Sequence, residues 1–339
     1  MAVLVLAAVA ACGDDRNAAI DAAVGEDAAP PADVAPTVDA AVDDPATLVL
    51  GGATTPVHDP SIASVDGVYM VFSTGTGIPV RTSVDLVNWS LAGQVFATAP
   101  AWITTTNRAQ PNNLWAPDIS HFGGTYHLYY AASTFGSNDS CIGHATSASP
   151  TSNTWTDQGP VICSTSSDNW NAIDPAAFVD DGGNAWLAFG SFWSGLKLVP
   201  LAADGSRSGT QLFALSTRND TAVEAPFVIH HDDFYYLFES VGFCCQGVDS
   251  TYKVMVGRSA DLRGPYVDDQ GVALLAGGGR LVVEGDTQWR GPGHNAILSV
   301  AAGTYNVYHS YDANAGGIPT LRISEMGWSA DGWPVSAGP

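Results

Sequence analysis

The sequence predicts an all-β protein, a five-bladed β-propeller over residues 47–339. The first observation behind this prediction is a repeat. A short run rich in aromatic and β-branched residues recurs, each time followed by a small-residue turn and a second strand-like piece. An apolar stretch precedes each run, so one unit supplies roughly four strands over roughly 50–70 residues, the size of a propeller blade. The five runs are VYMVFSTG (68–75), YHLYYAAS (126–133), AWLAFGSF (185–192), YYLFESVG (235–242) and YNVYHSYD (305–312).

The second observation separates the propeller from a two-sheet sandwich, the competing all-β architecture. About ten residues before each aromatic run stands one ionisable side chain. In a propeller the innermost strand of each blade lines the central channel, so residues at equivalent positions converge on the axis. Proline closely follows three of these side chains, and it suits the first residue of a strand, where no donor is needed. The five residues are Asp59, Asp118, Asp174, Glu224 and His294.

The first twelve residues, MAVLVLAAVAAC, are typical of the hydrophobic part of a signal peptide, because the run is apolar but too short to cross a bilayer. The ending Val9-Ala10-Ala11-Cys12 resembles a bacterial lipobox, in which Cys12 carries a lipid anchor. An ordinary signal peptide that contains a cysteine is the alternative. We expect an exported bacterial protein, either a lipoprotein of the outer membrane or cell surface, or a secreted protein.

Residues 13–46 are predicted to form a disordered tether. This segment consists mainly of Ala, Asp, Pro and Val, with nine acidic residues, one arginine and no aromatic residue. Such a composition cannot bury enough apolar surface to become ordered.

The net charge narrows the class of ligand. The chain has 12 Lys and Arg against 34 Asp and Glu, a formal charge of −22. This balance removes the electrostatic attraction on which binding to nucleic acids and anionic membranes depends. We therefore expect no nucleic-acid partner and a neutral or cationic ligand. Separately, we expect a monomer.

Four cysteines remain if Cys12 is lipidated, an even number that suits an oxidising compartment. Cys141 and Cys163 are predicted to form a disulfide. The adjacent Cys244 and Cys245 form either a strained vicinal disulfide or separate pairs, and the sequence leaves both open.

Three carboxylates in one concave site suggest a reaction. Crowding makes full ionisation costly, so their pKa values separate into an acid and a base. Glu224 lies among apolar residues and is the expected proton donor, whereas Asp59, beside His58, is the expected base. Asp174 is expected to orient the donor and raise its pKa. Two carboxyl groups roughly 6.5–9.5 Å apart across a sugar ring are the machinery of inverting glycoside hydrolysis.

Aromatic side chains near these positions are candidate surfaces for stacking a sugar. Trp115, Phe135, Trp170 and Trp193 lie close in sequence to the ionisable residues. For Trp170 and Trp193, core packing is an equal alternative. The candidate substrate-binding residues are His58, Trp115, Phe135, Asn171 and Trp193.

Seven motifs in order resemble the arabinanases of glycoside hydrolase family 43, over nearly all of the chain after residue 50. They are VHDPSI, LWAPDI, WNAIDPA, GSFWSGL, VEAPF, GFCCQGVDSTY and GPGHN. The resemblance implies a five-bladed propeller and inverting hydrolysis of α-1,5-linked L-arabinan. It also implies a catalytic base at Asp59, a pKa modulator at Asp174, a general acid at Glu224, and contacts of Trp115 and Phe135 with the arabinose at the cleavage point.

The resemblance further implies that His294 lies at the channel axis near a bound metal, usually calcium. From the residues alone, His294 is a channel-lining hydrogen-bonding group, because hard cations prefer oxygen ligands. Asp118 matches no catalytic position of the family, and we expect it to brace the pocket or bind backbone amides.

Two other functions remain open from the sequence. A β-xylosidase, α-L-arabinofuranosidase or galactanase keeps the same three residues and changes the sugar. Few residues follow Trp333, so we expect no added domain over the pocket, and an open groove favours internal cleavage of a polymer. A non-catalytic carbohydrate-binding propeller is the alternative outside enzymes.

Overall fold

A computed structural model describes residues 45–106, 113–219 and 221–339. The predicted signal peptide and lipobox at residues 1–12 lie outside the described residues, as does the tether at 13–46 apart from its last two residues. The prediction of a five-bladed β-propeller is confirmed. No helix within the described ranges is both long enough and apolar enough to span a membrane.

The first blade is built from the first strands of the chain. The first six strands are β1 (Gly51–Gly52), β2 (Ser61–Val65), β3 (Val68–Phe72), β4 (Gly75–Thr76), β5 (Pro79–Ser83) and β6 (Asn88–Gln94). Five of them form one sheet in the order β1-β6-β5-β3-β2, and β4 joins the next sheet. Asp66 and Gly67, with φ of 52° and 78°, make the two-residue turn between β2 and β3. Positive φ at both positions is what a type I′ hairpin turn requires.

The second blade follows a short helix, α1 (Ala101–Thr106). Its strands are β7 (Asn113–Phe122), β8 (Thr125–Ala132), β9 (Ser140–Ser147) and β10 (Thr156–Ser164), in the order β10-β9-β8-β7-β4. Cys141 on β9 and Cys163 on β10 are direct neighbours across the sheet and form a disulfide. The prediction of this bridge is confirmed.

Each of the last three blades is a four-stranded sheet whose strands follow chain order. The third has β11 (Ala176–Val179), β12 (Ala185–Phe189), β13 (Leu196–Pro200) and β14 (Phe213–Ser216). The fourth has β15 (Val223–His231), β16 (Phe234–Val241), β17 (Lys253–Ser259) and β18 (Arg280–Val283). The fifth has β19 (Trp289–Val300), β20 (Gly303–Asp312), β21 (Ile318–Trp328) and β22 (Pro334–Ser336). Four 3₁₀ turns occur in the described residues, at Pro150–Ser152, Gly247–Asp249, Leu274–Ala276 and Ala313–Ala315.

The innermost strands form a closed ring. Contacts run from β2 to β7, β7 to β11, β11 to β15, β15 to β19, and from β19 back to β2. The middle strands are buried on both faces because each blade packs between two others, which explains why β8 and β20 read as nearly continuous aromatic runs.

Five hydrophobic clusters among the described residues fill the spaces between neighbouring blades. Each cluster joins residues from two blades, so burial of apolar surface holds the ring together. One pair of members from each cluster is Phe72 with Leu128, Tyr129 with Leu187, Leu198 with Leu237, Phe238 with Tyr308, and Leu321 with Ile62.

The N-terminal end of the described chain ties the fifth blade to the first. The Leu48 N–H donates to the Ile323 carbonyl (2.9 Å) on β21. A few residues later, the Gly51 N–H donates to the Val87 carbonyl (2.9 Å), and β1 pairs with β6 in parallel. This segment therefore closes the ring at its outer side.

Candidate active site

One backbone feature recurs in or just before every inner strand. A single residue there adopts a left-handed φ between 46° and 55°, a conformation that residues other than glycine rarely take. In the second, fourth and fifth blades it coincides with a shift in the strand register, as in a β-bulge, which re-aims side chains. The five residues are Asp59, Ala116, Asp174, Ala225 and His294.

In two blades, the left-handed residue is not the ionisable residue that the sequence led us to expect at that position. Ala116 rather than Asp118, and Ala225 rather than Glu224, occupy the position of Asp59. The expectation of five ionisable residues at one equivalent position is therefore wrong. The equivalent position is set by backbone conformation and not by charge: in the first four blades the left-handed residue is the one directly before a proline.

Asp59 is buried and accepts several hydrogen bonds. Its Oδ2 accepts from the Thr74 hydroxyl (2.6 Å) and lies 2.8 Å from His58 Nδ1, while its Oδ1 lies 3.1 Å from His294 Nδ1. Its backbone N–H donates to His309 Nδ1 (3.1 Å). Burial opposes the charge of Asp59, but His58 and His294 outweigh it and hold the pKa of Asp59 well below its usual range.

Glu224 has the opposite electrostatic balance. Its Oε2 accepts a hydrogen bond from the Ser191 hydroxyl and its Oε1 accepts one from the Tyr252 hydroxyl, both at 2.6 Å. These bonds favour the carboxylate, yet burial outweighs them and raises the pKa of Glu224. The negative charge of Asp59 adds to this effect. Glu224 therefore keeps a proton more readily than Asp59 does.

Asp174 lies beside both of these residues. Its Oδ2 accepts from the Ala225 N–H (3.1 Å), which links the third blade to the fourth next to Glu224. Burial raises the pKa of Asp174 well above its usual range; the charge of His294 opposes this rise, and those of Glu224 and Asp59 strengthen it. Asp174 therefore lies next to Glu224, and His294, which contacts Asp59, also acts on Asp174, so the three carboxyl groups form one cluster where the inner strands meet.

Asp118 braces the blades behind this cluster. One carboxylate oxygen accepts from the Ala177 N–H (2.8 Å) of the third blade, and the other accepts from the Ser61 hydroxyl (3.3 Å) of the first. The bracing role expected for Asp118 agrees with these contacts. Burial raises the pKa of Asp118 to about 7, although both hydrogen bonds oppose the rise.

The expected substrate-binding residues occupy different surroundings. His58 is in the cluster itself, and Trp115 is half-buried beside Ala116, whose N–H donates to Thr74 Oγ1 (2.7 Å). Trp193 is 45% exposed on the loop that follows Ser191, the partner of Glu224.

Phe135 and Asn171 complete that set. Phe135 is 80% exposed on the loop between β8 and β9. Asn171 is buried, and within the described residues its side-chain oxygen has no hydrogen-bond partner. Trp170 instead packs edge-on against Phe189, with ring centroids 5.6 Å apart, in the core between the second and third blades.

Several residues at the site were not anticipated from the sequence. Thr74 donates to Asp59, and both Ser191 and Tyr252 donate to Glu224. His309 stacks on His58 with ring centroids 3.9 Å apart, and the Tyr311 hydroxyl lies 2.7 Å from His58 Nε2. The available signal was position, because Thr74, Ser191, His309 and Tyr311 all fall within the five repeated aromatic runs.

The described residues do not form a calcium cage around His294. Two groups of three side chains have ligating atoms close enough to hold an ion, His58 with Cys244 and Cys245, and His58 with Asp59 and His309. Neither includes His294, whose Nδ1 already faces Asp59. Because calcium prefers six to eight oxygen ligands, an ion at His294 needs water for most of them.

Comparisons with known proteins identify the family of this chain. A model of the family described as "Glycosyl hydrolases family 43" matches residues 53–334. The chain belongs to this family.

This family 43 chain aligns over most of its length with proteins of known name. The extracellular endo-alpha-(1->5)-L-arabinanase 1 of Bacillus subtilis is 43% identical over 297 residues, which cover 86% of this chain and 91% of that protein. The extracellular exo-alpha-(1->5)-L-arabinofuranosidase ArbA of Cellvibrio japonicus is 39% identical over 308 residues, 85% of this chain and 88% of that one. The solved structure of a GH43 endo-arabinanase from Bacillus licheniformis superposes with a TM-score of 0.81 at 42% identity, covering 85% of this chain and 99% of that chain.

The buried Asp118 makes the stability of this family 43 protein depend on pH. An aspartate in the unfolded chain has a pKa of about 3.9, so between about pH 4 and 7 the folded protein keeps a proton that the unfolded chain has lost. The free energy of unfolding therefore falls as pH rises through this range. Relative to Asp118→Asn, the wild type is expected to lose up to about 1.4 kcal/mol per pH unit in urea unfolding.

The matched control for this experiment is Asp66→Asn. Asp66 is exposed in a hairpin turn that accepts asparagine, so this variant is expected to follow the wild type at every pH. An unchanged pH slope in Asp118→Asn would contradict the prediction.

Proposed function

We propose that the protein hydrolyses the α-1,5-L-arabinofuranosidic linkages of arabinan, a side chain of plant pectin, with inversion and from within the polymer. The observation that carries this proposal is the opposite electrostatic balance of two carboxyl groups in one cluster. Asp59 is held ionised by two imidazoles, whereas burial favours the protonated form of Glu224. The identity of the sugar, arabinose, is taken from the names of the relatives.

The reaction needs a base and an acid on opposite sides of the scissile bond. The Asp59 carboxylate takes a proton from a water molecule while the water oxygen bonds to the anomeric carbon. At the same time the bond from that carbon to the linking oxygen breaks, and Glu224 gives its proton to this oxygen. Because the water enters opposite the leaving group, the configuration at the anomeric carbon inverts.

The remaining residues of the cluster position these two groups. Ser191 and Tyr252 each donate to one oxygen of Glu224 and so fix the orientation of its carboxyl group. Thr74 and His58 do the same for one oxygen of Asp59. We assign Asp174 the role of pKa modulator, since two neighbouring buried carboxyl groups disfavour ionisation of each other.

Exposed aromatic side chains near the cluster suit a polysaccharide. Phe192, Trp193 and Phe243 are each 41–45% exposed, and the rings of Phe192 and Phe243 lie 6.2 Å apart. The buried, unpartnered oxygen of Asn171 suits a sugar hydroxyl, because an unsatisfied buried acceptor costs about 1–3 kcal/mol. An exposed aromatic rim favours binding along a chain, and hence internal cleavage.

Removing the acid and removing the base have different expected effects. Glu224→Ala is expected to lower kcat on linear arabinan by about 10²–10⁴-fold. It is expected to affect a nitrophenyl arabinofuranoside much less, because that leaving group departs without a proton. Asp59→Ala is expected to slow the hydrolysis of both substrates alike, since both need the activated water.

Proton NMR of the wild-type reaction gives the anomeric configuration of the first product and so tests inversion.

The same assay distinguishes the alternatives. Equal trace rates for wild type and Glu224→Ala would establish a non-catalytic carbohydrate-binding propeller. Faster release of xylose from xylo-oligosaccharides than of arabinose from arabinan would indicate a β-xylosidase. A mixture of product sizes from linear arabinan at early times indicates internal cleavage, whereas a single short product indicates exo action.

Tyr252→Phe tests the protonation state of Glu224. Loss of the Tyr252 hydrogen bond removes a contact that lowers the pKa of Glu224, so that pKa rises further. A general acid loses activity as pH rises through its pKa, and the alkaline limb of kcat/KM is therefore expected to move to higher pH. Tyr235→Phe in the same blade is the control. An alkaline limb that stays in place or moves to lower pH in Tyr252→Phe would count against Glu224 as the acid.

We also propose a calcium ion bound at His294, with water as most of its ligands. The ion would supply a fixed positive charge near the ring axis. Calcium is expected to raise the melting temperature of the wild type and to leave that of His294→Ala unchanged. His230→Ala, which changes a residue near the end of β15, is the control. The same increase in His294→Ala would rule out this residue as the ligand.

Finally, we propose that the chain is exported and anchored by a lipid on Cys12. Two of the relatives are named extracellular proteins, and the Cys141–Cys163 disulfide is typical of an oxidising compartment. Cys12→Ser is expected to move the protein from the membrane fraction to the soluble exported fraction. An unchanged distribution would exclude the anchor.

A further inference from the structure

Two adjacent cysteines lie beside the cluster without a role in the proposed reaction. Cys244 and Cys245 are on the loop between β16 and β17, and among the described cysteines they are the ones outside a disulfide. Their sulfur atoms are 2.7 Å apart, somewhat longer than the roughly 2.05 Å of a disulfide bond. Cys245 is exposed, so a small reagent can reach it.

Three hydrogen bonds connect Cys245 to Asp59. The Cys245 N–H donates to the Tyr311 hydroxyl oxygen (2.7 Å), and the Tyr311 hydroxyl lies 2.7 Å from His58 Nε2. His58 Nδ1 in turn lies 2.8 Å from Asp59 Oδ2. Burial opposes the charge of His58, but Asp59 outweighs it and raises the pKa of His58 well above its usual range, so Nδ1 donates to Asp59 and Nε2 donates to the Tyr311 oxygen.

The sulfur of Cys245 competes with Tyr311 for the same nitrogen. Cys245 Sγ lies 3.7 Å from His58 Nε2, on the atom that Tyr311 also contacts. A thiolate draws the Nε2 proton of His58 toward itself and away from the Tyr311 oxygen. A disulfide sulfur carries neither the proton nor the negative charge, so it leaves Tyr311 as the partner of His58.

The two thiols have unequal reactivity. The hydrogen bond from Cys244, supported by the charge of His58, outweighs burial and lowers the pKa of Cys245 to about 5. The same hydrogen bond, followed by burial, raises the pKa of Cys244 well above its usual range. A reactive, exposed thiolate next to a second thiol is the arrangement of redox-sensitive cysteine pairs.

We propose that Cys244 and Cys245 are a redox modification site beside the carboxylate cluster. A small-molecule disulfide such as oxidised glutathione converts the pair to a vicinal disulfide. The Cys245 thiolate attacks one sulfur of the reagent, forming a mixed disulfide and releasing one thiolate. Cys244 then loses its proton to solvent, and its sulfur attacks that of Cys245, releasing the second. Two electrons pass from the cysteines to the reagent, which becomes two thiols.

The vicinal disulfide is the form with the higher turnover, because it leaves the Tyr311–His58–Asp59 contacts undisturbed. This consequence depends on the proposed function, in which Asp59 is the base. Reduction is expected to lower kcat by about five-fold, the effect of losing roughly one hydrogen bond from the transition state. KM is expected to stay the same, because Cys245 acts through His58 as a positioning residue.

The test treats the full chain with oxidised or reduced glutathione and traps free thiols with iodoacetamide. Trypsin cuts after Arg218 and Lys253 and leaves both cysteines in one peptide, residues 219–253. This peptide is expected to take up no carbamidomethyl group after oxidation and two after reduction. The kinetics of each mapped form are measured on linear arabinan, and the buried Cys141–Cys163 bridge is the internal control.

Two variants identify the attacking sulfur. Cys244→Ser keeps the reactive thiolate without its partner and is expected to gain one glutathione on Cys245. Cys245→Ser is expected to gain none. The reverse pattern would overturn the assignment of the attacking sulfur.

Two results on the wild type would overturn the proposal. The first is two free thiols in residues 219–253 after oxidised glutathione, and the second is an equal kcat for the two mapped forms. If neither form cleaves arabinan, the proposed function fails, while the peptide masses still decide whether the vicinal disulfide forms.

Discussion

The burial of three carboxyl groups at the axis of a closed ring is the constraint on which the site depends. A buried charge without partners costs several kcal/mol, and Asp59, Asp174 and Glu224 are all buried. The protein meets this cost in two ways. Imidazoles from the first and fifth blades accompany Asp59, whereas burial and like charges favour protonation of the other two. The same constraint that disfavours three charges thus prepares an acid and a base.

Ring closure supplies the partners because neighbouring blades meet at their inner strands. Asp59 of the first blade faces His294 and His309 of the fifth, and Asp174 of the third receives the Ala225 N–H of the fourth. The residue with a left-handed φ at each inner strand also contributes to this arrangement. It costs backbone energy, and it is retained where a side chain or an amide must be aimed at the axis.

The loop between β16 and β17 contacts both the proposed acid, Glu224, and the residues around the proposed base, Asp59. Tyr252 at its end donates to Glu224, while Cys245 near its start contacts Tyr311 and, through it, His58. Chemical change at the adjacent thiols therefore acts on a residue that belongs to a different blade. A short loop can couple the two halves of the site because both halves already lie on one axis.

The sequence by itself determined the number of blades and the identity of the three carboxyl groups. Regular repetition of aromatic runs is a local pattern, and Asp59, Asp174 and Glu224 stand at nearly constant distance from it. The Cys141–Cys163 bridge was also predictable, whereas the pairing of Cys244 and Cys245 was not.

Only the tertiary structure decided which groups surround the carboxylates. The left-handed position falls on Ala116 and Ala225, not on Asp118 and Glu224, so the two alanines are equivalent to Asp59. Tyr311 reaches His58 across 253 residues of sequence, and Tyr252 reaches Glu224 across 28. Such contacts depend on closure of the ring and on loop geometry, which no local pattern of apolar and polar residues records.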